Sequence, residues 1–100
     1  MMWKDIILLG QQVQATVNFE VVNTWSWREA YANKKSVRQS EVYQAAVAGL
    51  KPELMFEVQS IEYEQDERVE FNGKLYEILR VYDRGEVTEL TVSAMTGSEI

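Results

Sequence analysis

The sequence predicts a mainly β fold, a small antiparallel β-barrel with one short α-helix inserted between strands. Three observations predict it. Asn72-Gly73 stands between Val69-Glu70-Phe71 and Lys74-Leu75-Tyr76-Glu77-Ile78-Leu79, and Asn-Gly is the strongest short signal for a two-residue type I′ hairpin, because both residues tolerate positive φ. Apolar and polar residues alternate with period two over several short segments, the pattern of half-buried strands. Helical spacing is confined to Gln39 to Ala48, which closes on Gly49-Leu50-Lys51-Pro52.

Taken in order, Asp5 to Gly10 is a short apolar run suited to a first strand. From Val13 to Val21 the apolar residues Val13, Ala15, Val17, Phe19 and Val21 oppose Gln14, Thr16, Asn18 and Glu20, and Asn23 breaks the run. Thr24 to Tyr31 reads as an aromatic-rich strand, with Trp25, Trp27 and Tyr31 on one face and Ser26, Arg28 and Ala30 on the other. An alternating strand needs one apolar face, so core packing is the stronger expectation for these aromatics, and interface anchoring the alternative. Asn33 to Ser36 reads as a polar extension or loop.

Ser40 can cap a helix from Glu41 to about Ala48, since its hydroxyl accepts from a free first-turn amide and Glu41 suits the positive end of the dipole. Val42, Ala45, Ala46 and Gly49 share one face, so two turns would pack on a barrel side or plug one end; alone they would not be stable. After Pro52, Leu54 to Tyr63 reads as a strand whose apolar parity slips from Phe56 and Val58 to Ile61 and Tyr63, which predicts a β-bulge near Gln59-Ser60. Tyr76, Ile78, Arg80 and Tyr82 are expected on one strand face, opposite Leu75, Leu79 and Val81. Asp83-Arg84-Gly85-Glu86 reads as a second hairpin turn, and Leu90, Val92 and Ala94 alternate in the last strand. Residues 1–95 read as a single barrel domain and 96–100 as a C-terminal tail, with no internal repeat, low-complexity segment or linker.

Composition bounds the chemistry. A chain of 100 residues with 46% hydrophobic and 26% charged residues is ordinary for one globular domain. Without cysteine there is no disulfide framework, thiol nucleophile or cysteine-based zinc site, and without histidine the usual general base and commonest metal ligand are missing. No enzymatic activity, cofactor or metal is expected. The longest apolar run, Ile6 to Leu9, is far shorter than the roughly 20 residues that span a bilayer, and the start lacks a signal-peptide pattern, so cytosolic synthesis without a membrane partner is expected.

The net charge of −6 argues against tight general DNA binding, since clustered Lys and Arg supply most non-specific affinity. It remains compatible with a conduit, because a channel through which DNA slides is better lined with acidic or neutral groups. Glu62, Glu64, Asp66 and Glu67 form an acidic cluster, read as a hairpin that is solvated or turned to a neighbouring subunit; its spacing lacks the glycine and terminal glutamate of a calcium-binding EF-hand loop. Lys34, Lys35 and Arg38 are the one dense basic group. A plain surface loop, a protein partner and nucleic acid are the readings open to them, and three charges are too few for strong phosphate binding.

With Lys34-Lys35-Ser36 ahead of Gln39-Ser40-Glu41-Val42-Tyr43-Gln44-Ala45, then Gly49-Leu50-Lys51-Pro52-Glu53, then Gly73-Lys74-Leu75-Tyr76-Glu77-Ile78 ahead of Arg80-Val81-Tyr82, the chain resembles the head-closure, or head-tail joining, proteins of long-tailed bacteriophages. The opening Trp3-Lys4-Asp5-Ile6-Ile7 and the middle Trp27-Arg28-Glu29-Ala30-Tyr31-Ala32-Asn33 also look like that family, so the likeness runs from about Trp3 to Ala94. The resemblance implies a small β-barrel that assembles as a ring, commonly of twelve copies, between the portal or adaptor of the capsid vertex and a tail terminator or completion protein. It implies a virion location at the head-tail interface, with host cytoplasm during assembly, and a role in sealing packaged DNA, which passes through without sequence-specific binding, and in offering a tail docking surface. A channel-gating loop is implied as well, for which the segment from Ala32 to Gln39 is the candidate. The alternative from a different class is an OB-like or SH3-like barrel that binds an oligonucleotide or a peptide.

Overall fold

The chain first reverses at Asn18 and Phe19, both in the left-handed region with φ of 53° and 65°. This two-residue turn joins β1 (Asp5–Val17) to β2 (Glu20–Lys35), which pair antiparallel from Asp5 opposite Ala32 to Val17 opposite Glu20. The computed structural model describes residues 3–37 and 51–95. Within them β3 (Leu54–Gln59), β4 (Arg68–Phe71), β5 (Lys74–Asp83) and β6 (Val87–Ala94) complete a closed antiparallel barrel in the order β1-β2-β3-β6-β5-β4. The expected helix at Gln39 to Ala48, Arg38 and the tail from 96 lie outside the described residues. The helical turn among the described residues is a 3-10 turn at Ser60–Glu62.

Fully buried Ile7, Leu9, Phe56, Val58, Val69, Leu90 and Val92 fill the barrel, joined by Ala30, Ala32 and Tyr76. The Phe56 ring meets Phe71 and Tyr76 edge-on at 5.2 and 6.3 Å. Asn72 and Gly73 take φ of 53° and 76° between β4 and β5, the hairpin their chemistry predicts, and Gly85 at 103° serves the turn between β5 and β6.

Four local expectations are corrected. Val13 to Val21 is not one strand, because the Asn18-Phe19 turn divides it, and Asn23 lies inside β2. No bulge sits at Gln59-Ser60: β3 ends there and the 3-10 turn shifts the parity of Ile61 and Tyr63. The bulge lies instead between Ile78 and Arg80, so Ile78 opposes Val92 while Val81, not Arg80, opposes Leu90, with Val81 itself exposed. Finally, Trp25, Trp27 and Tyr31 do share a face, but it is the outer one. Their opposite face places Ala30 and Ala32 in the interior, where a barrel of six strands is too narrow for paired indoles. Trp27 lies across Gly10 on the outside; a Cβ at Gly10 would stand 2.5 Å from a Trp27 ring carbon, so only glycine permits this approach.

β1 pairs with β4 only at Leu8 to Gly10, and β2 with β3 only at Ala32 to Lys35. The outer portions of β1 and β2 therefore leave the barrel as a two-stranded arm. Its root is at the Gly10 end, whereas Asp5, Lys34 and the Asn72-Gly73 turn mark the opposite end.

Candidate functional site

The acidic segment is not a hairpin. Because β3 pairs with β2 and β6 while β4 pairs with β1 and β5, the residues between them must cross the end of the barrel beside the arm. Asp66 is buried there. The Arg28 guanidinium, pointing from β2, donates to both of its carboxylate oxygens at 3.0 Å and to the Glu62 carbonyl at 2.7 Å. The Glu64 amide also donates to Asp66, at 3.1 Å, and the Tyr63 hydroxyl donates to the Asp66 carbonyl at 3.1 Å. Gln65 turns the chain with φ of 61°. Asp66 is thus a clasp for the crossing, while Glu64 and Glu67 remain exposed and Glu62 half-buried.

The charges of this clasp shape its titration. The hydrogen bond from Arg28 to Asp66 holds the guanidinium proton more tightly, against an opposing effect of burial, so Arg28 serves as a fixed cation and not as an acid. Burial, followed by the charges of Asp66 and Glu67, raises the Tyr63 hydroxyl above its ordinary value. The folded chain then binds this proton more strongly than the unfolded one, so the contribution is complete below pH about 10 and is lost as pH rises through the raised value. Tyr63→Phe is expected to cost about 0.5–1.5 kcal/mol at neutral pH, through the lost hydrogen bond, and to flatten the fall in stability above pH about 10. Urea denaturation of both proteins on either side of that pH measures it; parallel slopes would refute it.

Lys34 and Lys35 end β2 on the far side of the barrel. The Lys34 amide donates to Asp5 at 3.0 Å, and its ammonium lies 5.8 Å from the centre of the Phe71 ring. Lys35 approaches Glu57 at 3.5 Å. The acidic segment, facing Arg28, and this basic pair are separated by about 20 Å along β2 and do not meet within one chain.

Sequence reasoning missed a second polar cluster. Glu57 and Glu89 are cross-strand partners on the outer faces of β3 and β6, and both are buried. Like charges so placed repel, and Arg84 offsets this by approaching Glu89 at 2.6 Å and Glu57 at 3.4 Å, which raises its own proton affinity chiefly through the Glu89 hydrogen bond. One Glu57 oxygen, Oε1, is buried without a hydrogen-bond partner. Nothing in the period-two pattern distinguishes these glutamates from exposed ones. Arg28 carried no signal either: with Trp25 and Trp27 expected in the core, a charge on the opposite face reads as a solvent-facing residue. Among the described residues no three acidic side chains converge as a cation site would require.

On the outer wall the Arg68 guanidinium lies 4.1 Å from the Trp25 ring centre, and Trp25 and Trp27 are 6.0 Å apart. At the far end Lys34, Leu54, Phe71, Lys74 and Tyr76 line an open cleft of about 370 Å³. No protein-family model and no curated protein matches the chain.

Proposed function

We propose that the chain is a virion structural protein, the subunit of a head-closure ring that joins the portal or adaptor of the capsid vertex to the tail. It works by assembly, sealing packaged DNA and presenting a docking face to a tail terminator or completion protein. The single observation that carries this reading is the family-like pattern running from Trp3 to Ala94, and a closed six-stranded barrel is the kind of fold that pattern implies. A short helix over Gln39 to Ala48 belongs to the proposal. So do the ring of about twelve copies, the virion location after assembly in the host cytoplasm, and passage of DNA without sequence recognition. The net charge of −6 supports a conduit that does not grip DNA. Negative-stain microscopy of the protein mixed with its portal complex tests the reading: a ring on the vertex is expected, and a bare vertex at saturating protein would sink it.

Lys34, Lys35 and Arg38 act, in this reading, in ring assembly or channel closure. Exposed ion pairs with Glu62, Glu64 or Glu67 of a neighbour are worth about 0.2–1 kcal/mol each, and a ring repeats them. Replacing all three cations with serine is expected to leave the melting temperature within a few degrees, because Lys34 and Lys35 are exposed and Arg84 stays on Glu57. The yield of DNA-filled, tailed particles in a complementation assay should drop. Normal yield, or outright unfolding, would remove the assignment.

One observation favours the second reading, a barrel that binds a single-stranded oligonucleotide. Trp25, Trp27 and Arg68 form an aromatic and cationic strip on the outer wall, the components of a base-stacking platform. Tryptophan fluorescence titrated with single-stranded DNA separates the two: salt-sensitive quenching supports this reading, and a flat titration leaves ring assembly.

A further inference from the structure

The tip of the arm and the cleft at the far end of the barrel are complementary, and we infer that the tip of one copy seats in the cleft of the next. Phe19 at the tip is fully exposed, at 101%, with Val17 and Val21 beside it at 52% and 65%. Its backbone is held in the left-handed region by the turn, so the ring projects from a defined position. Glu20, next to it, is the one charged residue between Gln11 and Trp27. The tip therefore presents a phenyl ring and a single negative charge on an otherwise uncharged ribbon.

The cleft offers the converse. Leu54, Phe71 and Tyr76 give it an apolar floor, and Lys34 and Lys74 stand at its sides, their ammonium groups 5.8 and 5.7 Å from the Phe71 and Tyr76 ring centres. Glu53 also borders the cleft, and its carboxylate accepts the Ala94 amide at 3.2 Å. Two cations above aromatic rings suit a carboxylate adjoining a phenyl ring.

The occupant must come from a second copy. Lys34 is bonded through its amide to Asp5, where β1 begins, whereas the tip lies where β1 ends, and the 13 residues of β1 span about 40 Å. A tip cannot fold back into its own cleft. It can enter that of a neighbour, a head-to-tail contact that closes into a ring when the rotation between copies permits. Copies of charge −6 repel one another, and this contact offsets that repulsion by placing negative Glu20 against positive Lys34 and Lys74. The inference deepens the ring reading and rests on it for its biological setting.

Sedimentation velocity of the full chain at low salt tests it. The wild type is expected to associate weakly, its mean mass rising as concentration approaches about 1 mM, with association at least tenfold weaker in Phe19→Ser and in the double variant Lys34→Glu/Lys74→Glu. Glu20→Lys alone should associate as poorly, and an equimolar mixture of Glu20→Lys with the double variant should regain the wild-type behaviour, because each tip then faces a cleft of opposite sign. A wild type that stays monomeric throughout, a Phe19→Ser variant that associates normally, or a mixture that stays monomeric would each overturn the inference. Failure of the ring reading shows elsewhere, as a bare portal vertex. Rings formed on a portal by Phe19→Ser would sink the tip contact and leave the ring standing.

Discussion

Phe56→Ala is expected to lower the melting temperature by roughly 15–30 °C, close to abolishing the fold at physiological temperature. Phe56 is fully buried at the centre of the barrel, and its ring is held edge-on by Phe71 and Tyr76, from β4 and β5, across the interior from β3. Truncation removes the transfer energy of the ring and leaves a cavity that closed strands cannot collapse to fill, together about 3–5 kcal/mol. A domain of this length has a total stability of about 5–15 kcal/mol, so this one site carries a large share of it. Circular dichroism on heating measures the effect, and Phe56→Leu, which keeps much of the volume, should lose far less. A fall below about 5 °C for Phe56→Ala would mean that the ring is not in the core.

Asp66→Ala is expected to cost about 2–3 kcal/mol and to free the crossing between β3 and β4 before the barrel itself unfolds. The Asp66 side chain is entirely shielded from solvent, and its removal strips two hydrogen bonds from Arg28 and one from the Glu64 amide. Breaking a buried pair costs more than this in general, but Arg28 retains 30% exposure and can recover water, which reduces the penalty. Limited proteolysis should cut the variant between residues 60 and 67 while the strands persist, whereas Glu64→Ala, which loses only a pair at 3.9 Å from an exposed carboxylate, should resist like the wild type. Equal resistance of Asp66→Ala and wild type would show that the clasp does not hold the crossing.

How much of this is written in the residues depends on whether face parity is preserved along a strand. Asn72-Gly73 is legible because its chemistry announces positive φ, and Phe56, Val58, Leu90 and Val92 are legible because their strands alternate without interruption. Asn18-Phe19 was hidden by its neighbours. Val13, Ala15 and Val17 precede the turn and Val21 follows it at the same odd spacing, although Val17 shares a face with Glu20 and Val21 points to the other side. Phenylalanine rarely adopts positive φ, so the turn signal of Asn18 was masked by Phe19 and by the continuing alternation. The extra residue between Ile78 and Arg80 likewise leaves Tyr76 and Ile78 inside and exchanges the sides of Arg80 and Val81, a change visible only in the pairing with β6. For the candidate site, the basic and acidic groups were legible as composition. Which carboxylate is a buried clasp was not, since the Arg28 to Asp66 contact joins residues far apart in sequence.

The seam between β1 and β4 sets the order in which the molecule can form. Three of the barrel's six junctions, β1 with β2, β4 with β5 and β5 with β6, join strands linked by tight turns, so they can form as soon as their residues exist. The seam joins the beginning of the chain to its second half, at Leu8 to Gly10 against Arg68 to Glu70, and closes a loop whose entropy must be lost before the interior rewards it. A chain emerging from the ribosome therefore holds an open, curled sheet with two unsatisfied margins until β6, the last strand and the partner of β3, has been synthesised. Its slowest and most aggregation-exposed interval is that wait, which ends when the β4-β5-β6 meander pairs with β1 on one side and β3 on the other.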